Sequence, residues 1–177
     1  ILAATTYRAV SRYTWVGVKH SKLYGQIRGL AETWRARWLV VDATGVGAGL
    51  ASFLDHALPG KVLPFIFNQA SKSKLGWDWL GIIDSGRWKD YTSGPELATF
   101  WNELSFCQYT IIPGPAKVMR WGVPDGTRDP RSGELVHDDL VLSAALSAVL
   151  DEQEWTVSGP ALIIQRNDPL KDMDHGF

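Results

Sequence analysis

The chain has 177 residues, 45% hydrophobic and 21% charged, with a formal net charge of −1. That length suits one domain with a substantial core, and no apolar run approaches the roughly 20 residues that cross a membrane. The single cysteine, Cys107, excludes an intrachain disulfide and any cysteine-built zinc site.

Ile1–Tyr7 and Tyr13–Val18 read as short β segments from their branched and aromatic residues. His20–Arg35 repeats Leu23, Ile27, Leu30 and Trp34 at helical spacing, with Ser21 as the expected N-cap. Arg37–Asp42 is almost wholly apolar, the pattern of a strand covered on both faces. Thr44–Gly49 predicts a tight turn into a helix bearing Leu50, Phe53, Leu54 and Leu58, closed by Pro59-Gly60. Val62–Phe67 reads as a strand in which Pro64 marks an edge or a bulge. Ser71–Ser85 is a predicted helix through Leu75, Leu80 and Ile83, and Asp84 and Asp90 fall in a polar connection after it. Ser93, Pro95 and Glu96 predict a helix start by N-cap, first-turn proline and capping box, ahead of Leu97, Phe100, Trp101 and Leu104. Gln108–Ile112 reads as a strand. Lys117–Val123 and Glu134–His137 are the expected arms of a hairpin with a long polar tip. It leads into a helix that opens on His137-Asp138-Asp139.

Alternating strand and helix signals predict an α/β fold with a central mixed β-sheet flanked by helices. One domain is expected over residues 1–157 and a tail over 158–177, which lacks periodicity. The start has neither a basic leader nor an initiator Met, so the chain is expected to be a fragment.

Charge is unevenly spread. Residues 1–131 hold 16 Lys and Arg against 10 Asp and Glu, whereas 132–177 hold 2 against 9. A basic body beside an acidic cluster suits an enzyme of nucleic acid whose carboxylates hold metal, and suits equally a solvated surface with an acidic end. Asp42 closes an apolar strand, and Asp138 and Asp139 head an apolar helix. Such residues are poor core material unless solvated, paired or metal-bound. Three carboxylates converging from distant segments make a site for hard divalent cations and phosphodiester cleavage. The plainer readings are a turn residue at Asp42 and dipole complementation by Asp138 and Asp139. One of the adjacent aspartates ligates directly while the other orients water or a second ion, and His137 stands next to them as a phosphate or water contact. Further candidate phosphate contacts are Lys72, Lys74, Arg87, Lys89, Lys117, Arg120, Arg128 and Arg131. Asp55, Asp78, Glu103 and the 151–154 run are expected on solvated helix faces.

The glycines after Asp42 run G-x-G-x-G, one residue short of a dinucleotide fingerprint, and the next strand supplies no acid for a ribose. No phosphate-binding G-x-x-x-x-G-K-[ST] loop, H-E-x-x-H helix or G-x-S-x-G elbow occurs.

Trp15-Val16-Gly17 before an amphipathic helix, Val40-Val41-Asp42-Ala43-Thr44-Gly45-Val46-Gly47, Ser85-Gly86-Arg87 and the His137-Asp138-Asp139 helix start together resemble the nuclease domain of phage large terminase subunits. The likeness runs from about residue 1 to 151. It implies an RNase H-like fold with a β-hairpin beside the active site, and a metal-dependent endonuclease that cuts concatemeric double-stranded viral DNA during genome packaging. It also implies Mg²⁺ or Mn²⁺ held by aspartates. Asp42 matches the family's strand aspartate, Asp139 the late one, and Asp138 its accessory neighbour. Implied partners are double-stranded DNA, an ATPase motor of the same polypeptide, the small terminase and the portal protein, with no membrane and a place in the host cell cytoplasm. The resemblance also implies a first aspartate that closes the opening strand of the sheet; no acidic residue stands in Ile1–Tyr7 or Tyr13–Val18, so that strand is expected ahead of Ile1, the alternative being a protein that lacks this ligand. The alternatives are another RNase H-like nuclease (junction resolvase or ribonuclease), a non-catalytic DNA-binding or assembly module, and a nucleotide-binding domain.

Overall fold

The structure, a computed structural model, describes residues 5–154; the expected tail over 158–177 and residues 1–4 lie outside the described residues. In chain order the elements are β1 (Tyr7–Ala9), α1 (His20–Thr33), β2 (Leu39–Asp42), α2 (Gly47–Ala57), β3 (Val62–Phe65), α3 (Gln69–Asp84), β4 (Trp88–Asp90), α4 (Pro95–Phe106), β5 (Gln108–Ile111), β6 (Met119–Gly122) and α5 (Asp139–Ala145), followed by a 3₁₀ turn at Leu146–Glu152. The class is α/β with both strand senses. Among the described residues the strands form three ladders: β1 with β4 and β2 with β3, both parallel, and β5 with β6, antiparallel.

Several expectations move. Tyr13–Val18 is not a strand: Tyr13 and Trp15 stack on one another with ring centroids 5.7 Å apart, and Val16 is 88% exposed. Local β propensity there finds no ladder to join. Lys19, not Ser21, takes the N-cap of α1. Gly94, not Ser93, caps α4, with Pro95 at its first position. Asn68 caps α3 through a reciprocal box with Ser71, so that helix starts earlier than its apolar pattern indicates. The polar connection after α3 contains a strand, β4, paired with β1. The hairpin is displaced as well. Its arms are β5 and β6, joined through Pro113-Gly114-Pro115, while 124–134 is a separate loop closed by a single bridge between Arg128 and Leu135. Pro64 does sit in a strand bonded on one side, opposite Val41.

Two apolar clusters hold these elements. The larger joins Tyr7, Leu75, Trp79, Ile82, Phe100, Val141 and Ala145, with Phe65 and Phe67 packed on it. The smaller joins Ala31, Leu54, Leu58 and Val62, with Leu39 and Val41 packed on it. The β2–β3 pair therefore lies between the clusters, and its alternate side chains feed different ones. β2 itself is only half-buried, not covered on both faces as its composition predicts.

The region that sequence treats as polar is stitched by buried charge. Arg12 bridges Asp90 at 2.7 Å, their side chains 8% and 11% exposed, and its guanidinium lies 4.0 Å from the Phe100 ring centroid. Burial opposes ionisation of Asp90, yet hydrogen bonds from Arg12 and Thr92 hold its carboxyl below the usual carboxylate range. A depressed folded pKa adds stability above the unfolded value of about 4 and loses it as pH falls through the folded value. Asp90→Ala should therefore lower stability by about 3 kcal/mol at pH 7, and the gap to wild type should narrow at pH ~3, where the unfolded carboxyl is largely protonated while the folded one still resists protonation. Urea unfolding at the two pH values measures this.

α3 and β6 meet at Gly76, where an added Cβ would stand 2.5 Å from Trp121 Cδ1 and 2.9 Å from Met119 Sδ. Trp121 cannot retreat, because its indole N–H donates to the Lys72 carbonyl at 2.6 Å. Gly76→Ala should destabilise by about 1–3 kcal/mol despite the better helix propensity of alanine, read as a lowered urea midpoint at unchanged slope.

Candidate functional site

β2 ends where its packing partners end, and Asp42 is exposed there. The Thr44 N–H donates to Asp42 Oδ1 at 2.8 Å, an Asx turn. The Ala43 N–H donates to the Phe65 carbonyl at 2.7 Å, and Thr44 Oγ1 accepts from the Phe67 N–H at 2.8 Å, so the turn is tied to the end of β3. A Cβ at Gly47 would overlap the Asp42 carbonyl oxygen, so only glycine permits so early a start to α2. Asp42 is thus a turn residue, and no hydrogen bond or ion pair engages its Oδ2 among the described residues.

The start of α5 separates the adjacent aspartates. Asp138 occupies the N-cap but its side chain does not cap. It turns instead toward Lys72, with Oδ2 3.7 Å from Nζ, and packs where a Cβ at Gly122 would collide with it. Lys72 Nζ also lies 5.6 Å from the Trp121 ring centroid. Asp139 is exposed, and its side chain makes no hydrogen bond or ion pair among the described residues. Two of the first-turn N–H groups of α5 are satisfied from another helix: Glu103 Oε2 on α4 accepts from Leu140 at 2.9 Å and Val141 at 3.1 Å. Glu103 is 5% exposed, which corrects its expected place on a solvated face. Burial pushes its carboxyl up, the two backbone N–H groups pull it down, and the charges of Asp139 and Asp138 add to the rise. Its position three residues after buried Phe100, on the inner stripe of α4, was the available signal.

Asp42 and Asp139 line one groove of about 570 Å³. α1 contributes Ile27 and Leu30 and its C-cap Trp34, β2 contributes Val40 and Val41, and the α5 region contributes Leu142 and Leu146. No hydrogen-bonded strand covers the β2 edge opposite β3 among the described residues. No group of three or more His, Cys, Asp or Glu is close enough to hold a metal ion among the described residues. Two hard-oxygen donors on an open groove nevertheless fit Mg²⁺, which is commonly bound by one or two carboxylates with water and phosphate completing the shell.

The candidate cations disperse. Lys74 is held by Asp78 and Glu152, both at 2.6 Å. Arg87 bridges Asp151 at 2.5 Å and donates to the Thr5 carbonyl at 3.0 Å, while the Tyr7 hydroxyl also donates to Asp151. These two line a different cleft, away from Asp42 and Asp139. Arg128 donates to the Gly133 carbonyl at 2.7 Å, and Arg131 pairs with Asp129 at 3.6 Å. Lys89 stands in β4. His137 borders a third cleft beneath the 124–134 loop. Lys117 and Arg120 are exposed on the β5–β6 hairpin.

Residues 1–110, more than half of the chain, match the family described as Terminase RNaseH-like domain. The chain belongs to that family. The matched stretch contains Asp42 and its turn and stops ahead of Asp138 and Asp139. Among curated proteins, the terminase domain is 32% identical over 86 residues to the "Probable terminase, ATPase subunit" of Haemophilus phage HP1 (strain HP1c1), covering 49% of this chain and 14% of that protein. Among solved structures it resembles the large terminase nuclease from thermophilic phage G20c with bound cobalt, at 21% identity and a TM-score of 0.56, covering 76% of this chain and 64% of the other. The family match gives the fold as RNase H-like, and the structural likeness agrees with it. The terminase domain spans about one-seventh of the curated relative and under two thirds of the solved one.

The pairing pattern separates the cations by role. Arg87→Ala should lower the melting temperature, because it removes the bonds to both Asp151 and the Thr5 carbonyl, whereas Arg120→Ala should leave stability within about 0.5 kcal/mol of wild type. Thermal unfolding followed by circular dichroism tests the contrast.

Proposed function

We propose that this terminase RNaseH-like domain is a metal-dependent endonuclease that cleaves concatemeric double-stranded viral DNA during genome packaging. The observation that carries the reading is the shared groove: Asp42, leaving a strand, and Asp139, opening a helix, face the same space although they are far apart in the chain. Ligand sites in α/β sheets lie at the carboxyl ends of strands, which is where Asp42 stands.

When bound, Mg²⁺ or Mn²⁺ supplies Lewis acidity to a phosphate oxygen and a nucleophilic water at neutral pH. Asp42 and Asp139 are the proposed ligands. The Asx turn holds the Asp42 carboxylate by one oxygen and leaves the other for coordination. Asp138, turned to Lys72, is an accessory residue that keeps that ammonium beside the site. Lys72, Lys117 and Arg120 are the proposed contacts to the DNA backbone, where positive charge positions the duplex without reading its sequence. Lys74, Arg87, Arg128 and Arg131 have acceptors within the fold, as Lys72 has in Asp138, but they neither pair with Asp138 nor line the groove of Asp42 and Asp139. His137 borders a different cleft, so it and they take a secondary place in the proposed DNA contact. The proposed partners are an ATPase motor, as the name of the curated relative suggests, the small terminase and the portal protein. The setting is the host cell cytoplasm; among the described residues no helix is long and apolar enough to cross a membrane.

Asp42→Asn and Asp139→Asn should each slow Mn²⁺-dependent plasmid nicking by about 10³-fold, roughly 4 kcal/mol in the barrier, with the melting temperature little changed because both side chains are exposed. Undiminished cleavage by both variants rejects the site. Comparison of linear duplex, four-way junction and RNA–DNA hybrid separates the packaging nuclease from a resolvase or ribonuclease. A second reading, a DNA-binding or assembly module without cleavage, is favoured by the lack of a third nearby ligand among the described residues. Calorimetry that finds no Mn²⁺ binding supports it.

A further inference from the structure

We infer that Glu103 is a positioning residue for Asp139: reaching across from α4, it supplies the cap that α5 lacks and so fixes the direction in which Asp139 enters the groove. This rests on the reading of Asp139 as a metal ligand.

A helix start leaves its first N–H groups unsatisfied, and an aspartate at the N-cap is among the best residues to accept from them. Asp138 occupies that place and does not accept. Its carboxylate is committed to Lys72 and to the space left by Gly122. The vacancy is filled through tertiary structure by Glu103 Oε2, which takes the N–H groups of Leu140 and Val141, the two residues after Asp139. A bond at these two points fixes the first turn against α4. Among the described residues the Asp139 side chain has no hydrogen bond or ion pair to set its orientation, so its placement is inherited from that turn. α4 is a firm support: Phe100, three residues before Glu103, is fully buried, and Arg12 is stacked on its ring. The choice of residue is informative as well. A buried carboxylate beside two other acidic residues is electrostatically unfavourable, and a cap serving stability alone would fall to the aspartate already in place. The arrangement releases Asp138 to Lys72 and leaves Asp139 unencumbered.

Reach and charge separate in two substitutions. Glu103→Gln keeps the length and an acceptor oxygen; Glu103→Asp keeps the charge and withdraws the acceptor by one methylene. Leu54→Val, in the smaller apolar cluster, serves as a destabilised control remote from α4 and α5. Amide hydrogen exchange at Leu140 and Val141 and Mn²⁺ titration by calorimetry are measured on each protein. Expected is at least tenfold faster exchange at those two amides and at least fivefold weaker Mn²⁺ binding in Glu103→Asp, with Glu103→Gln close to wild type on both. Leu54→Val should leave both unchanged. Wild-type exchange and Mn²⁺ binding in Glu103→Asp, or equal shifts in Leu54→Val, overturns the inference. If Asp139→Ala binds Mn²⁺ as wild type does, the metal reading itself falls, and the exchange data still decide whether Glu103 holds the turn.

Discussion

The β2–β3 ladder is gripped between two apolar clusters, and that constraint determines where everything chemically useful can stand. Leu39 and Val41 pack toward α1 and α2, while Phe65 and Phe67 pack toward α3 and α5. The strand therefore ends at the boundary between two packed layers, where the chain must turn into α2. α5 is drawn to the same boundary from the other side, because Val141, Ala144 and Ala145 belong to the larger cluster. Burial of apolar surface is non-directional, at roughly 25 cal/mol per Å². The amphipathic pattern converts it into placement, leaving Asp42 and Asp139 as the residues that cannot follow their neighbours inward. The groove they share is the seam between the layers.

Charge is then arranged by pairing across that framework. The acidic final quarter and the basic body look like separate surfaces in sequence. In the fold they are joined: Lys72 to Asp138, Lys74 to Glu152, and Arg87 to Asp151. The surplus of positive charge before residue 132 is partly spent on internal neutralisation, and this shrinks the set of side chains free to meet a phosphate backbone. Exposed members of these pairs add little stability; the buried Arg12–Asp90 pair is of another kind, since breaking it strands a charge among apolar neighbours.

The first turn of α5 shows how a local rule can be overridden usefully. The best local cap, Asp138, is diverted, and a carboxylate from a different helix takes its work. Local propensity and tertiary demand conflict there, as they tend to at functional positions.

The alternation of strand and helix signals, the tight glycine turn after Asp42 and the acidic head of an apolar helix were all written in the chain, because periodicity and turn chemistry are local properties. The family resemblance could be read from the same stretches. Folding decided which of two adjacent aspartates faces the groove, since side-chain direction in a first turn depends on what receives the neighbour, here Lys72 and the gap at Gly122. It decided that Met119–Gly122 pairs with Gln108–Ile111, not with Glu134–His137, because register follows from which edges meet in space. It also buried Glu103, hid Asp90 and paired Arg87 with Asp151. Charged side chains carry no mark of their partners in sequence, and their role is set by the residues that distant segments bring within hydrogen-bond reach.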